Sequence, residues 1–290
     1  MIEQVVEPRH RELGMFATER VLPALRQRRV GPYVLLDHSG PEAQTTAHKL
    51  DIPAHPHIGL STLTYLFAGE IVHRDSLGST QTIRPGEVNW MTAGRGIAHS
   101  ERVAAGFAAS GGTLHALQLW VGLTAEHEET APDFQHLGAH EVPRVEEDGA
   151  SARIIAGGAY GLVSPLRTFT PQFYVDLRLA PGARFALPAE HEERAAYVIE
   201  GRVRVEGAEG AAFDARHLVV FSRGGAPVLV AESTATVMLL GGAPIAAPHM
   251  WWNFVSTRAE RIEQAKHDWR EGRFALPPDD AAEIVPLPER

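Results

Sequence analysis

The chain has 290 residues, no cysteine and a formal charge of −9 at neutral pH. That length suffices for two domains of ordinary size. The missing thiols exclude disulfides and thiolate metal sites and point to an intracellular, cytoplasmic protein, while the negative charge argues against direct nucleic-acid binding, which draws its affinity from basic side chains.

No stretch approaches the ~20 apolar residues of a membrane helix, so no membrane role is expected. Met1-Ile2-Glu3-Gln4-Val5-Val6-Glu7 is acidic and lacks the apolar core of an export signal. The short basic cluster of Arg26, Arg28 and Arg29 reads as a solvated turn or edge.

Taken in chain order, the first chemistry-bearing element is Ala54-His55-Pro56-His57. In a strand, residues i and i+2 point to the same face, so His55 and His57 aim two imidazoles into one space. Leu63, Tyr65 and Phe67 then alternate with Thr64 and Leu66 as a strand. Turns follow at Ala68-Gly69-Glu70, at Gly78-Ser79 and at Arg84-Pro85-Gly86-Glu87, with a return strand from Val72 and another over Val88 to Met91. Gly94-Arg95-Gly96 lets the backbone bend sharply before a second spaced pair, His99 and Glu101.

Such a run of hairpins rolls into a small antiparallel barrel whose interior holds one metal or one small ligand. Three imidazoles and a carboxylate from His55, His57, His99 and Glu101 suit a borderline divalent ion (iron, nickel, cobalt, copper, manganese or zinc) better than calcium or magnesium. A closed structural zinc site is the competing reading, but such sites usually employ cysteine. The other histidines of this half, His38, His73 and His115, read first as hydrogen-bonded or packed structural residues.

Residues 124–151 are polar, with Glu126, Glu128 and Glu129, and read as the connection between domains. Beyond it the chain echoes the first barrel: Tyr197-Val198-Ile199-Glu200-Gly201 matches Tyr65-Leu66-Phe67-Ala68-Gly69, which suggests duplication of a whole barrel. The ligand positions are lost, because Leu187 and Ala189 fall where His55 and His57 stand, and Leu229 and Ala231 oppose His99 and Glu101. His191, among glutamates, reads as a surface residue. A helix is expected after Thr257, capped by Thr257 with Glu260, burying Ile262, Ala265 and Trp269 and ending at Gly272. Trp251 and Trp252 are expected to pack beside it, and the tail from Leu276 to be extended.

The wording of the first half resembles a known family. Pro56-His57, Thr64-Tyr65-Leu66, His73-Arg74-Asp75-Ser76, Pro85-Gly86, Trp90 through Ile97 and His99-Ser100-Glu101 together are similar to the pirin family of two-domain cupins. So are Leu36-Asp37-His38, Leu117 through Val121, Trp251 through Ser256 and Glu271-Gly272-Arg273-Phe274, so the likeness covers nearly the whole chain. It implies an all-β fold of two tandem cupin barrels with a C-terminal helix: residues 1–135 as the metal-binding cupin, 136–255 as a degenerate cupin without ligands, and 256–290 as helix and tail. It also implies His55, His57, His99 and Glu101 as ligands of one divalent metal, with Fe(II) favoured. Ser61 departs from the general cupin pattern, which places a glutamate there.

Bacterial pirins resemble quercetinases, which open the central ring of flavonols with O2 and release carbon monoxide. The resemblance therefore implies a quercetin 2,3-dioxygenase type activity on a small aromatic flavonol, with Glu101 taking the proton of its 3-hydroxyl and Leu63, Tyr65, Phe67 and Trp90 as candidate walls by strand parity. Some pirins instead regulate a protein partner, a transcription factor or a metabolic enzyme, through a redox-sensing metal, and that alternative stands beside the first. A sugar isomerase ranks below both, for want of a second acid-base pair.

Overall fold

The computed structural model describes residues 1–13, 16–208 and 210–289, and they form an almost entirely β protein. In the first half, the expected hairpins build two sheets. The smaller runs in the order Asp51–His57, Ile97–Arg102, Ile71–Asp75, Thr80–Ile83, and the larger in the order Asp133–Leu137, Val88–Thr92, Leu60–Ala68, Thr113–Gly122, Tyr33–Ala43, Phe16–Leu22, Arg9–Leu13. The two ligand strands are direct neighbours, with His99 opposite His55 and Ile97 opposite His57. A bulge between His99 and Glu101 shifts the register there, the usual device for re-aiming a side chain beside a site.

The bend before His99 is where glycine is required. Gly94 has φ +51°, and a Cβ there would meet the Thr130 carbonyl oxygen at 2.1 Å. Only glycine meets both demands at that corner.

The second half repeats the plan. One sheet runs Ile2–Val6, Leu218–Phe221, Glu193–Glu200, Ala235–Gly242, Gln172–Leu179, Ala150–Ala159, Arg144–Glu147, and the other Arg184–Ala186, Val228–Ala231, Arg202–Val205, Ala212–Asp214. Leu187, Leu229 and Ala231, standing where the first barrel has ligands, belong to a buried cluster with Phe185, Val203 and Leu239. That interior is apolar and packed.

Each of two compact units is assembled from separate stretches of the chain. Residues 1–9, 20–35 and 140–244 make one, and 10–19, 36–139 and 245–290 the other. The physical reason is strand pairing: Ile2–Val6 completes a sheet with Leu218–Phe221 of the second half, and the terminal helix packs on the first barrel's material through Ile58, Ala98, Phe254, Ile262, Ala265 and Trp269.

That helix spans Ala259–Arg270 and buries Ile262, Ala265 and Trp269, as its spacing predicts, and Gly272 follows with φ +66°. The expected capping box is absent, and Arg258 is the N-cap with no side-chain cap bond. Thr257 is engaged elsewhere, its amide and hydroxyl both donating to the Glu128 carboxylate, at 2.7 and 3.1 Å. Residues 124–151, read as a connection, carry two strands, Asp133–Leu137 and Arg144–Glu147, that pair with Val88–Thr92 and Ala150–Ala159. Among the described residues no helix is long and apolar enough to cross a membrane.

Candidate metal centre

His55 and His57 leave one strand and His99 its neighbour, and one ring nitrogen from each lies within 4.8 Å of the others. All three are buried. The rings meet at angles rather than in a stack: His55 and His99 have centroids 4.3 Å apart at 51°, and His57 and His99 5.0 Å apart at 58°.

Three features prepare these imidazoles for an ion. First, the outward nitrogens of His55 and His99 are occupied. His55 Nδ1 lies 2.9 Å from the Pro53 carbonyl oxygen, which can only accept, so Nδ1 carries the proton and Nε2 keeps its lone pair. His73 Nε2 donates to Asp75 Oδ2 at 3.0 Å, so a neutral His73 ring offers its Nδ1 lone pair to His99 Nδ1–H at 3.3 Å, leaving His99 Nε2 bare. Second, the inward nitrogens are orphaned. His99 Nε2 and the His57 nitrogens are buried without a partner of full hydrogen-bond geometry; a bound cation satisfies one nitrogen of each ring, and the Asn253 backbone stands beside His57.

Third, the rings are held neutral. Burial pushes the His55 pKa down to about 4 against the bond to Pro53, and the neighbouring His73 imidazole adds to the fall. Burial likewise drives His57 and His99 well below the ordinary value of 6.5, reinforced by the neighbouring imidazoles. A divalent ion must compete with protons for these nitrogens, and here it has little competition. The donor set and its environment therefore fit a borderline divalent metal.

Glu101 lies on the same strand, buried, with Oε1 accepting from the Thr64 hydroxyl at 3.1 Å. It is not one of the three residues whose ligand atoms converge. Burial raises its pKa, against the nearby His73 imidazole and the Thr64 bond. The Thr64 hydroxyl, with one proton shared between the two oxygens, also lies 2.7 Å from Gln118 Oε1, so the carboxyl sits in a polar cluster.

Thr64 corrects the expected walls. Strand parity places Leu63, Tyr65 and Phe67 together, as read from the sequence, but on the face of the sheet away from the imidazoles. The facing side carries Thr62 and Thr64, with Gln118 and Trp120 opposite them, and the Trp120 ring meets His57 edge-on at 5.2 Å. Trp90 pairs with Leu63, turns away with it and donates to Thr92 Oγ1 at 3.1 Å. Ser61 also bonds Thr92, at 3.2 Å, on that far side. Both faces of this strand are buried, so apolarity does not mark the interior.

Sequence reading took His73 as structural and did not identify Phe134. His73 is the link between His99 and Asp75, and its ring stacks on Phe134 at 4.4 Å and 13°. Asp75 is fixed in turn by the amides of Leu77 and Ser79, at 2.9 and 3.0 Å. The spacing His73-Arg74-Asp75, two polar residues on one face of a strand, was the available signal. His38 and His115 pair with each other, Nε2 to Nε2 at 2.7 Å, apart from the three.

The tail also reaches the ligand strands. Asp280 accepts from Arg102 Nε at 2.6 Å, and Arg102 bridges to Asp51 at the other end of the strand that carries His55. Val285 donates its amide to Ala54 at 2.9 Å.

Comparison with known proteins places this arrangement. Residues 15–121 match the family model described as pirin, and 174–275 that described as the pirin C-terminal cupin domain. The chain belongs to the pirin family. A pirin-like protein of Caulobacter vibrioides is 50% identical over 292 residues, covering 100% of both chains. A Pseudomonas aeruginosa pirin relative, named as a candidate quercetin 2,3-dioxygenase, is 38% identical over 93% of this chain and 84% of its own. Among solved structures, a quercetin 2,3-dioxygenase from Acinetobacter baumannii superposes with TM-score 0.89 at 33% identity, covering 99% of this chain and 95% of that one. The bacterial pirin YhhW from Escherichia coli, solved with nickel(II), shares the fold at TM-score 0.65 and 18% identity, over 84% of this chain and 100% of its own.

Proposed function

We propose that this pirin is a metal-dependent dioxygenase of the quercetin 2,3-dioxygenase type, opening the central ring of a flavonol with O2. The observation that carries it is the set of buried, neutral imidazoles of His55, His57 and His99 with lone pairs aimed at one point. The likeness to the Acinetobacter baumannii quercetin 2,3-dioxygenase over 99% of the chain supports the reaction class.

In this reading His55, His57 and His99 hold a divalent metal, Fe(II) favoured, and Glu101 is the fourth protein ligand or the base. The ion, when bound, acidifies the flavonol 3-hydroxyl and renders the flavonolate reactive toward oxygen. Glu101 takes the hydroxyl proton: it is buried on the strand that carries His99, and Thr64 holds its Oε1. Trp120, edge-on to His57, supplies an aromatic surface for a flat ring, and Thr62, Thr64 and Gln118 supply a polar floor.

The test is oxygen consumption with quercetin by protein reconstituted anaerobically with Fe(II), Ni(II), Co(II), Cu(II) or Mn(II). Metal-dependent consumption that vanishes in His57→Ala, and falls with the metal still bound in Glu101→Gln, is the expected result. Tight metal binding without consumption for any of the metals would overturn the reading in favour of a redox-sensing regulator of a protein partner.

A further inference from the structure

The second barrel, whose interior is filled by Phe185, Leu187, Leu229 and Leu239, nevertheless carries a groove on its outside. It encloses about 460 Å³ between the Gly157–Ala159 strand end, Leu162-Val163, residues 168–172 and Glu190-His191. Two side chains there break the rule that buried polar groups are paired. Gln172 is 2% exposed, and neither its Nε2 nor its Oε1 has a partner. Thr170 is 9% exposed, and its Oγ1 has none either.

Leaving one buried donor or acceptor unmade is costly, and here three lie in one groove. Gln172 does not owe its place to packing alone, because a Met or Leu of similar volume would fill the position without an orphaned amide. The backbone beneath it is built for close approach: Gly157 has φ +70°, and a Cβ there would meet the Gln172 carbonyl oxygen at 1.8 Å. His191, expected to be a surface residue, is tied into the rim. Its Nε2 donates to the Gly158 carbonyl at 2.8 Å and its ring lies 4.7 Å from that of Phe173, so in the neutral ring Nδ1 remains an acceptor.

The chemistry of the lining selects a ligand. No Lys or Arg lines the groove, which disfavours phosphates and carboxylates. Acceptors prevail, from Gln172 Oε1, the Glu190 carboxylate and His191 Nδ1, beside donors from Gln172 Nε2 and Thr170 Oγ1. Glycine backbone with Leu162 and Val163 makes flat, partly apolar walls.

We propose that this groove binds an uncharged, flat ring compound rich in hydroxyl or amino donors, held by the Gln172 carboxamide and the Thr170 hydroxyl. Two sources share that chemistry, a nucleoside and a polyhydroxylated aromatic. The site is independent of the three-histidine centre and does not rest on its proposed reaction.

The test is calorimetric titration of anaerobic, metal-loaded protein with adenosine and, separately, with catechin. Saturable binding of one of them is expected, weakened at least about tenfold in Gln172→Met and in Thr170→Val and unchanged in His57→Ala. Adenosine binding identifies the nucleoside source and catechin binding the aromatic one. Binding of neither, or binding indifferent to both groove substitutions, overturns the proposal. The melting temperature supplies a second reading: a ligand-free Gln172→Met protein gains about 2 °C when an unpaired buried amide is removed. A loss would mean that Gln172 serves the fold, and would overturn the proposal too.

Discussion

The Nδ1 atoms of His99 and His73 stand 3.3 Å apart, and only one of them can carry the proton. Asp75, accepting from His73 Nε2 at 3.0 Å, decides which. The relay fixes His99 in the tautomer that presents Nε2 to an ion, the role commonly taken by a carboxylate behind a metal-binding imidazole. Replacing His73 by Phe, or Asp75 by Asn, should weaken metal binding roughly 10- to 100-fold with the fold intact. Competition against a chelator of known affinity measures this; an unchanged affinity in both variants would refute the relay.

Acid should act on the metal-free protein through the same rings. The His55 pKa is about 4 in the folded chain against 6.5 ordinarily, and burial also holds those of His57 and His99 well below their usual value. Between those limits the unfolded chain binds more protons than the native one, so stability falls as pH falls from 6.5 toward 4. Asp75, also held below its usual range because its bonds to His73 and Ser79 outweigh burial, extends the loss to lower pH. Urea midpoints of the metal-free protein should therefore decline steadily across this window, and bound metal should raise the midpoint without flattening the decline, because metal-holding rings take up no proton in the native state. A midpoint independent of pH would contradict the neutral, desolvated rings.

Glu128 should prove a structural anchor. It is 3% exposed and accepts from the Ser256 hydroxyl, the Thr257 amide and hydroxyl and Arg258 Nε. Glu128→Ala leaves several of these donors unmatched and should cost roughly 2 kcal/mol, read from the denaturation midpoint. A change near zero would show that water replaces the carboxylate.

Much of this was legible in the sequence because it is local. Residues spaced i, i+2 share a strand face in any sheet, so the pairing of His55 with His57 followed from spacing, and turn glycines marked the hairpins that bring His99 alongside. Ile262, Ala265 and Trp269 declared their helix by periodicity. What stayed hidden depends on long-range partners. Thr257 carries a capping signature, but Glu128 competes for it from far along the chain. Leu63 and Thr64 alternate correctly, but a strand buried on both faces does not say which side is the cavity. Phe134 lies in a segment whose strand character comes from pairing with Val88–Thr92 rather than from its own pattern.

The tail is more than an extended end. Asp280 and Glu283 both accept from Arg102, and Ala54 pairs with the Glu283 to Val285 segment, so the tail braces the strand that carries His55 and His57. Truncation after Leu276 should speed amide exchange in Asp51–His57 and weaken metal binding about tenfold. Wild-type exchange rates in the truncated chain would remove the tail from the account.

If the three imidazoles support oxidative ring opening of a flavonol, carbon monoxide is its most direct signature. Metal-loaded protein given quercetin and oxygen should release one CO per flavonol consumed, and His55→Ala should release none. Protein that binds a metal tightly at these histidines yet yields no CO with any of the five metals would contradict it.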